Sequence, residues 1–190
     1  MLSALMLLFG GAVSAAQFCG DRQAGEDMAP VILKNVFDKL GEQADDWFHR
    51  GDYKRSIQSF KMRIAYDPSD LQSYFLAAWL LWSRGDDAAA QEMYQSSVRA
   101  APDSYEPYME IGMHWSNRRD DRKAALWLFH ACNRGAPVAA WKTLSHSYRR
   151  LGLLQDAIRI MREAKTMDPN DPTIDTNIQW LQEQIAPMGG

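Results

Sequence analysis

Residues 138–171 read VAAWKTLSHSYRRLGLLQDAIRIMREAKTMDPND. The stretch holds two helical patterns around one glycine. Trp141, Leu144, Ser145 and Tyr148 recur at spacings that place them on one face of a first helix. Ala157, Met161 and Ala164 do the same on a second. Gly152 lies between them, where a left-handed backbone ends a helix cheaply. Pro169 closes the stretch. Asp171 can accept a hydrogen bond from the free amides of the next helix, and Pro172 follows it at the first helical position, where a missing N–H costs nothing.

The same punctuation recurs upstream. Gly51 and Gly85 lie 34 residues apart, and Gly85 and Gly152 lie 67 apart, two periods less one. Arg119 falls where the intervening glycine belongs. Pro68, Pro102 and Pro169 repeat the same two spacings. Two independent marks with one period mean a repeat array. Asp70, Ser104 and Asp171 are the expected N-caps. Gly51-Asp52-Tyr53, Gly85-Asp86-Asp87 and Gly152-Leu153-Leu154 are the expected turns inside hairpins. Asp86-Asp87 and Asp120-Asp121 fall in those turns, where aspartate caps helices.

On these residues the chain resembles a tetratricopeptide repeat (TPR) protein. Four units, 37–70, 71–104, 105–137 and 138–171, carry the resemblance. The second matches with Tyr74, Ala77, Ala78, Leu81, Gly85, Ala90, Tyr94, Ser97 and Pro102, and the third with Tyr108, Ile111, Gly112, Trp115, Ala124, Leu128 and Ala131. The third departs at Arg119 and is one residue short before Pro137. The first fits with Trp47, Gly51, Tyr53, Ser56, Phe60 and Pro68, but Arg63 stands where a small residue is expected, which implies a looser hairpin or one packed on the preceding segment. The implied fold is all-α: a right-handed superhelical stack of antiparallel helix hairpins, a TPR-like α-α solenoid. Ala78, Gly112 and Ser145 on the first helices, and Ala90, Ala124 and Ala157 on the second, are small so that the paired helices approach closely. Tyr74, Trp115 and Tyr148 fill the space beside them. Each hairpin leaves an apolar face that only stacking buries.

The ends need caps. Ile174, Ile178, Leu181 and Ile185 form one apolar face over 172–186, a capping helix, with 187–190 a short tail. Residues 17–36 read as a linker and an N-terminal helix beginning near residue 28. Val31, Ile32, Val36, Phe37 and Leu40 belong either to one long first helix or to a separate helix broken near Gly41.

Residues 1–16 carry no charged side chain, run apolar through Leu5-Met6-Leu7-Leu8-Phe9, and end in small residues at Val13-Ser14-Ala15-Ala16. That pattern is a secretory signal cleaved after Ala15 or Ala16, without the usual basic residue before the apolar run. The alternatives are a membrane anchor formed by residues 1–18 and a frayed helix. Gln17 and Phe18, just before Cys19, do not fit a lipidation pattern. The expected location is exported, periplasmic or secreted, with membrane contact only through this segment if uncleaved.

Apolar residues at 46% and charged residues at 24% are ordinary for a folded chain. A net charge of −3 offers no basic excess for nucleic acid. Cys19 and Cys132 supply neither a disulfide framework nor a zinc site. The four histidines, His49, His114, His130 and His146, fall on different helices, and no phosphate loop or nucleophile motif is present. The expectation is therefore no enzyme, no cofactor, no metal and no small-molecule substrate.

In a stacked array the first helix of each hairpin lines the concave side. In the second unit Phe75, Trp79 and Trp82 form one stripe there; the same phase gives Met109, Met113 and Ser116 in the third unit and Lys142, His146 and Arg149, beside Arg150, in the fourth. In the first it gives Gly41, Asp45 and Phe48. Some TPR proteins clamp a chaperone carboxylate with a lysine and an asparagine; the matching positions are Gly41 and Asp45, and Asp45 would repel it. The groove reading is a protein-interaction module, a scaffold or adaptor, whose protein or peptide partner has an apolar centre and an acidic portion near Lys142 and Arg149. Against it stands packing of Phe75 and Trp79 on neighbouring helices, and a merely solvated basic stripe. The alternative function is a structural subunit or assembly factor of an envelope complex, bound by convex or edge surfaces that expose Trp127 or Trp180.

Overall fold

A computed structural model describes the backbone of residues 15–185 and the side chains of 28–185. Among the described residues there are nine α-helices and no strand: α1 Ala15–His49, α2 Tyr53–Tyr66, α3 Leu71–Ser83, α4 Asp87–Ala100, α5 Glu106–Asn117, α6 Asp121–Cys132, α7 Val138–Arg150, α8 Leu154–Met167 and α9 Pro172–Ile185. Sequential helices pack on one another from α1 through α9, and α5 also touches α3 and α7. The architecture is an all-α helical-repeat solenoid in which α1, α3, α5, α7 and α9 are the first helices of successive hairpins, α9 standing without a partner.

Caps define the period. Asp52, Asp70, Asp86 and Asp120 each accept a hydrogen bond from the amide three residues on, at 3.1–3.2 Å. Asp171 accepts from Thr173 N at 2.8 Å. Ser104 accepts from Glu106 N at 3.2 Å but lies two positions before Glu106, so the N-cap of α5 is Tyr105 and not Ser104 as expected. Gly51, Gly85 and Gly152 take φ of 78°, 83° and 78°, and Arg119 takes φ 62° in the same place. A side chain in that conformation costs about 1–2 kcal/mol, so the third unit keeps its turn against local strain.

The one-residue deficit falls at the end of α6. That helix stops at Cys132, and Gly135 at φ 82° turns the chain early into α7. Trp141 Nε1 donates to Ala136 O at 3.2 Å, and Arg134 donates to Pro102 O at 3.0 Å while lying 3.9 Å over the Tyr108 ring. These contacts tie the shortened corner to the previous unit.

Helices cross where small residues meet. Ala44 and Ser56, Ala78 and Ala90, Gly112 and Ala124, Ser145 and Ala157 occupy matching positions of the four hairpins, and all are buried. In the first hairpin Ser56 Oγ donates to Ala44 O at 2.9 Å; in the fourth Ser145 Oγ donates to Ala157 O at 2.8 Å. The third crossing leaves no room for a side chain at Gly112. A Cβ on Gly112 would sit 2.6 Å from Leu128 Cγ and 3.0 Å from the Leu128 backbone N.

Two N-terminal expectations resolve. α1 is one helix of 35 residues, running through Pro30 and Gly41 without a break, so the stretch 17–27 is helical where a linker was expected. Arg63 does not loosen the first hairpin. Its guanidinium bonds Asp70 (Nε 3.0 Å, Nη2 2.9 Å), Ser73 Oγ and Phe37 O, and it occupies the space left by Gly41, so the small residue sits on the opposite helix. Phe37 and Tyr66 stack beside it at 4.0 Å. The capping helix is described to Ile185, with Ile174 and Leu181 buried on α8. Residues 1–14, which make up most of the apolar segment expected to act as a signal, and the tail at 187–190 lie outside the described residues. No helix described is long and apolar enough to cross a membrane.

Gly112→Ala tests the close approach. Alanine favours a helix over glycine by about 1 kcal/mol, so an unconstrained site would gain stability. The Leu128 backbone cannot recede like a side chain, and overpacking should prevail with a net loss of about 1–2 kcal/mol in urea or thermal melts.

Candidate functional site in the groove of first helices

Phe75, Trp79 and Trp82 lie at spacings of four and three on α3 and share one face because a helix turns through 100° per residue. The opposite face, Tyr74, Ala77, Ala78 and Leu81, is buried in the hairpin. The stripe therefore points away from the crossing. It faces α5 across a cleft of about 240 Å³, which Glu110, Met113, His114 and Asn117 line from α5 and Tyr94 closes from α4. Trp79 is 44% exposed; Phe75 and Trp82 are half-buried. Trp79 also lies 5.8 Å from Phe48 of α1, so it separates this cleft from a second one of about 200 Å³ that Gly41, Asp45 and Phe48 line with Leu76 and Leu80.

His114 organises the inner end of the first cleft. Its ring meets Trp82 edge-on at 5.4 Å, Trp115 at 5.2 Å and Tyr94 at 5.0 Å. Gln91 lies within hydrogen-bond distance of its Nε2, at 3.3 Å. Burial, then the Arg118 charge, lowers its pKa, which favours the neutral ring that can accept the Gln91 amide. Arg118 itself is matched: it holds Asp87 through two bonds of 2.6 and 3.2 Å and lies over Trp82 and Trp115. Burial pushes the Tyr94 hydroxyl up to about 12.

Glu110 is half-buried where Glu106, one turn earlier, is exposed. Its side chain makes no hydrogen bond or ion pair among the described residues. Partial burial, then Glu106 one turn earlier, raises its carboxyl above the ordinary value.

The basic stripe of the fourth unit is arranged differently. Lys142 Nζ reaches Asp171 at 2.7 Å and Thr173 Oγ1 at 2.9 Å, binding α7 to the start of α9. Lys142 and Thr173 hold the Asp171 carboxyl down at about 2. Arg150 bonds Asp121 at 2.6 Å and Ser116 Oγ at 3.1 Å. His146 and Arg149 face α9 across a cleft of about 370 Å³, with Thr176, Asn177 and Trp180 opposite. The Arg149 guanidinium lies 5.2 Å from the Trp180 ring, and its buried Nε has no hydrogen-bond partner among the described residues. Burial, then Arg149, Arg150 and Lys142, lowers the His146 pKa.

Phe75, Trp79, Trp82 and Met113 thus meet in one cleft, while His146 and Arg149 line another. Met109 packs against the third-unit core, and Lys142 joins α7 to α9. Glu110, His114 and Trp180 complete the clefts and were not picked out by the stripe. Glu110 and His114 flank the Met109–Met113 phase by one residue each, so a wider helical face would have included them. Among the described residues no three histidine, cysteine or acidic side chains group to hold a metal, and Cys132 is buried with its thiol pushed up to about 12.

The tetratricopeptide repeat model matches residues 71–104 and 138–171, the second and fourth units. The chain carries tetratricopeptide repeats. A crystal structure of MamA superposes with a TM-score of 0.60 at 19% identity, covering 75% of this chain and 84% of that one. TTC0263, a thermophilic TPR protein of Thermus thermophilus, does so at 0.56 and 16%, over 75% and 79%. Pseudomonas aeruginosa pilF follows at 0.61 and 12%, over 81% and 71%. At these identities the likeness is one of fold. No curated protein matches the chain. TPR arrays bury their cores by stacking and leave a concave surface for binding, so this chain is a protein-interaction or scaffold module.

The raised carboxyl of Glu110 gives a signed prediction. The folded chain takes up this proton more readily than the unfolded one, so the group favours folding below its unfolded pKa and loses that contribution as pH rises through its folded value. Glu110→Gln should melt higher than the parent at neutral pH, and the gap should close in acid. A constant gap across pH would contradict this.

Proposed function

We propose that this chain is an exported scaffold or adaptor whose concave groove holds a peptide segment of a partner protein. The observation that carries the reading is the open cleft between α3 and α5, with Trp79 exposed at its lip. Tryptophan is a frequent anchor at interfaces. An indole held this open on one side and braced by Phe48 on the other is poised to cover a ligand without reorganising.

The groove has two ends of different chemistry. The α1–α5 portion combines aromatic rings with Asp45 and Glu110; the α7–α9 portion presents Arg149 beside Trp180. An acidic portion of a ligand would meet Arg149, since Lys142 and Arg150 already hold carboxylates.

A second reading, a subunit of an envelope complex bound through an edge, draws on α1. Met28, Val31, Ile32, Leu33 and Val36 are all about half exposed on its projecting part. Trp180 is also exposed but faces Arg149, and Trp127 packs on Tyr108 at 5.9 Å.

One comparison separates the readings. Trp79→Ala should lower affinity for a groove peptide by about tenfold or more with a nearly unchanged melting temperature. Under the edge reading Trp79→Ala binds its partner as before and Val31→Lys does not.

The exported location rests on the uncharged apolar stretch at 1–16 and its small-residue end. N-terminal sequencing of protein recovered from the exported fraction should begin at Ala16 or Gln17; a chain beginning at Met1 would point to an anchor or a cytoplasmic protein.

A further inference from the structure

We propose that the α3–α5 cleft receives the cationic end of a lysine or arginine side chain on the bound segment, with Glu110 as its counter-ion and Phe75, Trp79 and Trp82 as its walls. This rests on the groove reading above and specifies what the groove selects.

The argument begins with what an occupant would cover. Glu110 is half-buried before anything binds, and none of the described residues pairs with it. A ligand that fills the cleft removes water from that carboxylate. An apolar side chain would leave it buried without a partner, and desolvating an ionised carboxylate without compensation is costly. An acidic side chain would add repulsion from both Glu110 and Glu106. An ammonium or guanidinium group compensates the carboxylate directly through a charge-assisted hydrogen bond.

The walls favour the same occupant. A cation over an indole or phenyl face is attracted by the ring quadrupole, more strongly as water is excluded. The protein already uses this contact nearby. Arg118 lies 5.9 Å from the Trp82 ring and 5.5 Å from Trp115, and Lys123 lies 3.9 Å from Trp115. Neither cation relieves Glu110. Arg118 is held by Asp87 at 2.6 Å, and Lys123 by Asp120 at 2.9 Å. Burial and then Arg118 lower the pKa of His114 at the inner end of the cleft, which disfavours a charged ring there. The cleft thus offers an unmatched negative group within aromatic walls. Its volume of about 240 Å³ suits the end of one long side chain and not a folded surface.

The basic end of the groove has the opposite bias, since Arg149 lacks a carboxylate there. A segment lying along the groove would therefore place its basic residue toward α3 and α5. That polarity sets the direction in which the segment lies.

The test passes an unbiased library of short random peptides over the immobilised full chain, then titrates one selected peptide and its counterpart with lysine replaced by norleucine, following tryptophan fluorescence. Selected peptides should be enriched in lysine or arginine. The lysine peptide should bind about tenfold more tightly than the norleucine one, and Glu110→Gln should erase that difference. Glu110→Gln removes an unpaired charge and should fold at least as well as the parent, so lost discrimination cannot be ascribed to unfolding. Glu110→Lys should shift selection toward aspartate and glutamate. Equal affinity for the two peptides, or unchanged discrimination in Glu110→Gln, overturns the cationic assignment. If Trp79→Ala still abolishes binding in that case, the groove reading survives alone. If no peptide is retained, or Trp79→Ala binds all of them as the parent does, both readings fall.

Discussion

The fold depends on how closely paired helices approach at the crossing of each hairpin. Ala44 with Ser56, Ala78 with Ala90, Gly112 with Ala124 and Ser145 with Ala157 leave almost no side chain between the axes. Once the axes are that close, large residues on either side, such as Leu128, Leu144 and Met161, reach the next hairpin and bury against it. The crossings are not identical. Two are secured by a serine hydroxyl donating to the facing helix, one is a pair of alanines, and one is a glycine under Leu128. The shared requirement is small volume, and several chemistries meet it.

The orientation imposed by the crossing also generates the groove. With one face of each first helix held in its hairpin, the other must point to the inner side of the stack. Phe75, Trp79 and Trp82 are displayed because Tyr74, Ala78 and Leu81 are taken up. Charge then differentiates the groove along its length. In the C-terminal half, cations close the array: Lys142 holds the start of α9 and Arg150 holds α6. In the N-terminal half, cations are engaged at the rim by Asp87 and Asp120, and Glu110 is left unmatched inside. Stability and recognition thus draw on the same residue types, separated by which partner each one reaches.

The repeat, its 34-residue period, the turns and most caps were legible in the residues themselves. Each rests on a local rule: glycine ends a helix, aspartate caps one, and small residues recur where helices cross. Arg119 was legible as a missing glycine, and it adopts the left-handed backbone that the position demands. Arg63 was misleading in isolation. Read alone it is a large residue in a small place; with Gly41 opposite, the volume is conserved across the pair. The capping helix was visible from its apolar face, but its second task, presenting Trp180 to Arg149, was not.

By itself the sequence determined the architecture, because periodicity and backbone preference act within a few residues; it did not show that Glu110 and His114, and not Met109, would line the α3–α5 cleft. It could not determine which charges would find partners. Lys142 and Asp171 are 29 positions apart, Arg150 and Asp121 the same, and Arg118 and Asp87 31. These pairs form because one repeat period returns the chain to nearly the same place one hairpin further along the stack. Only the tertiary arrangement shows that those cations are neutralised and that Glu110 has no such partner among the described residues.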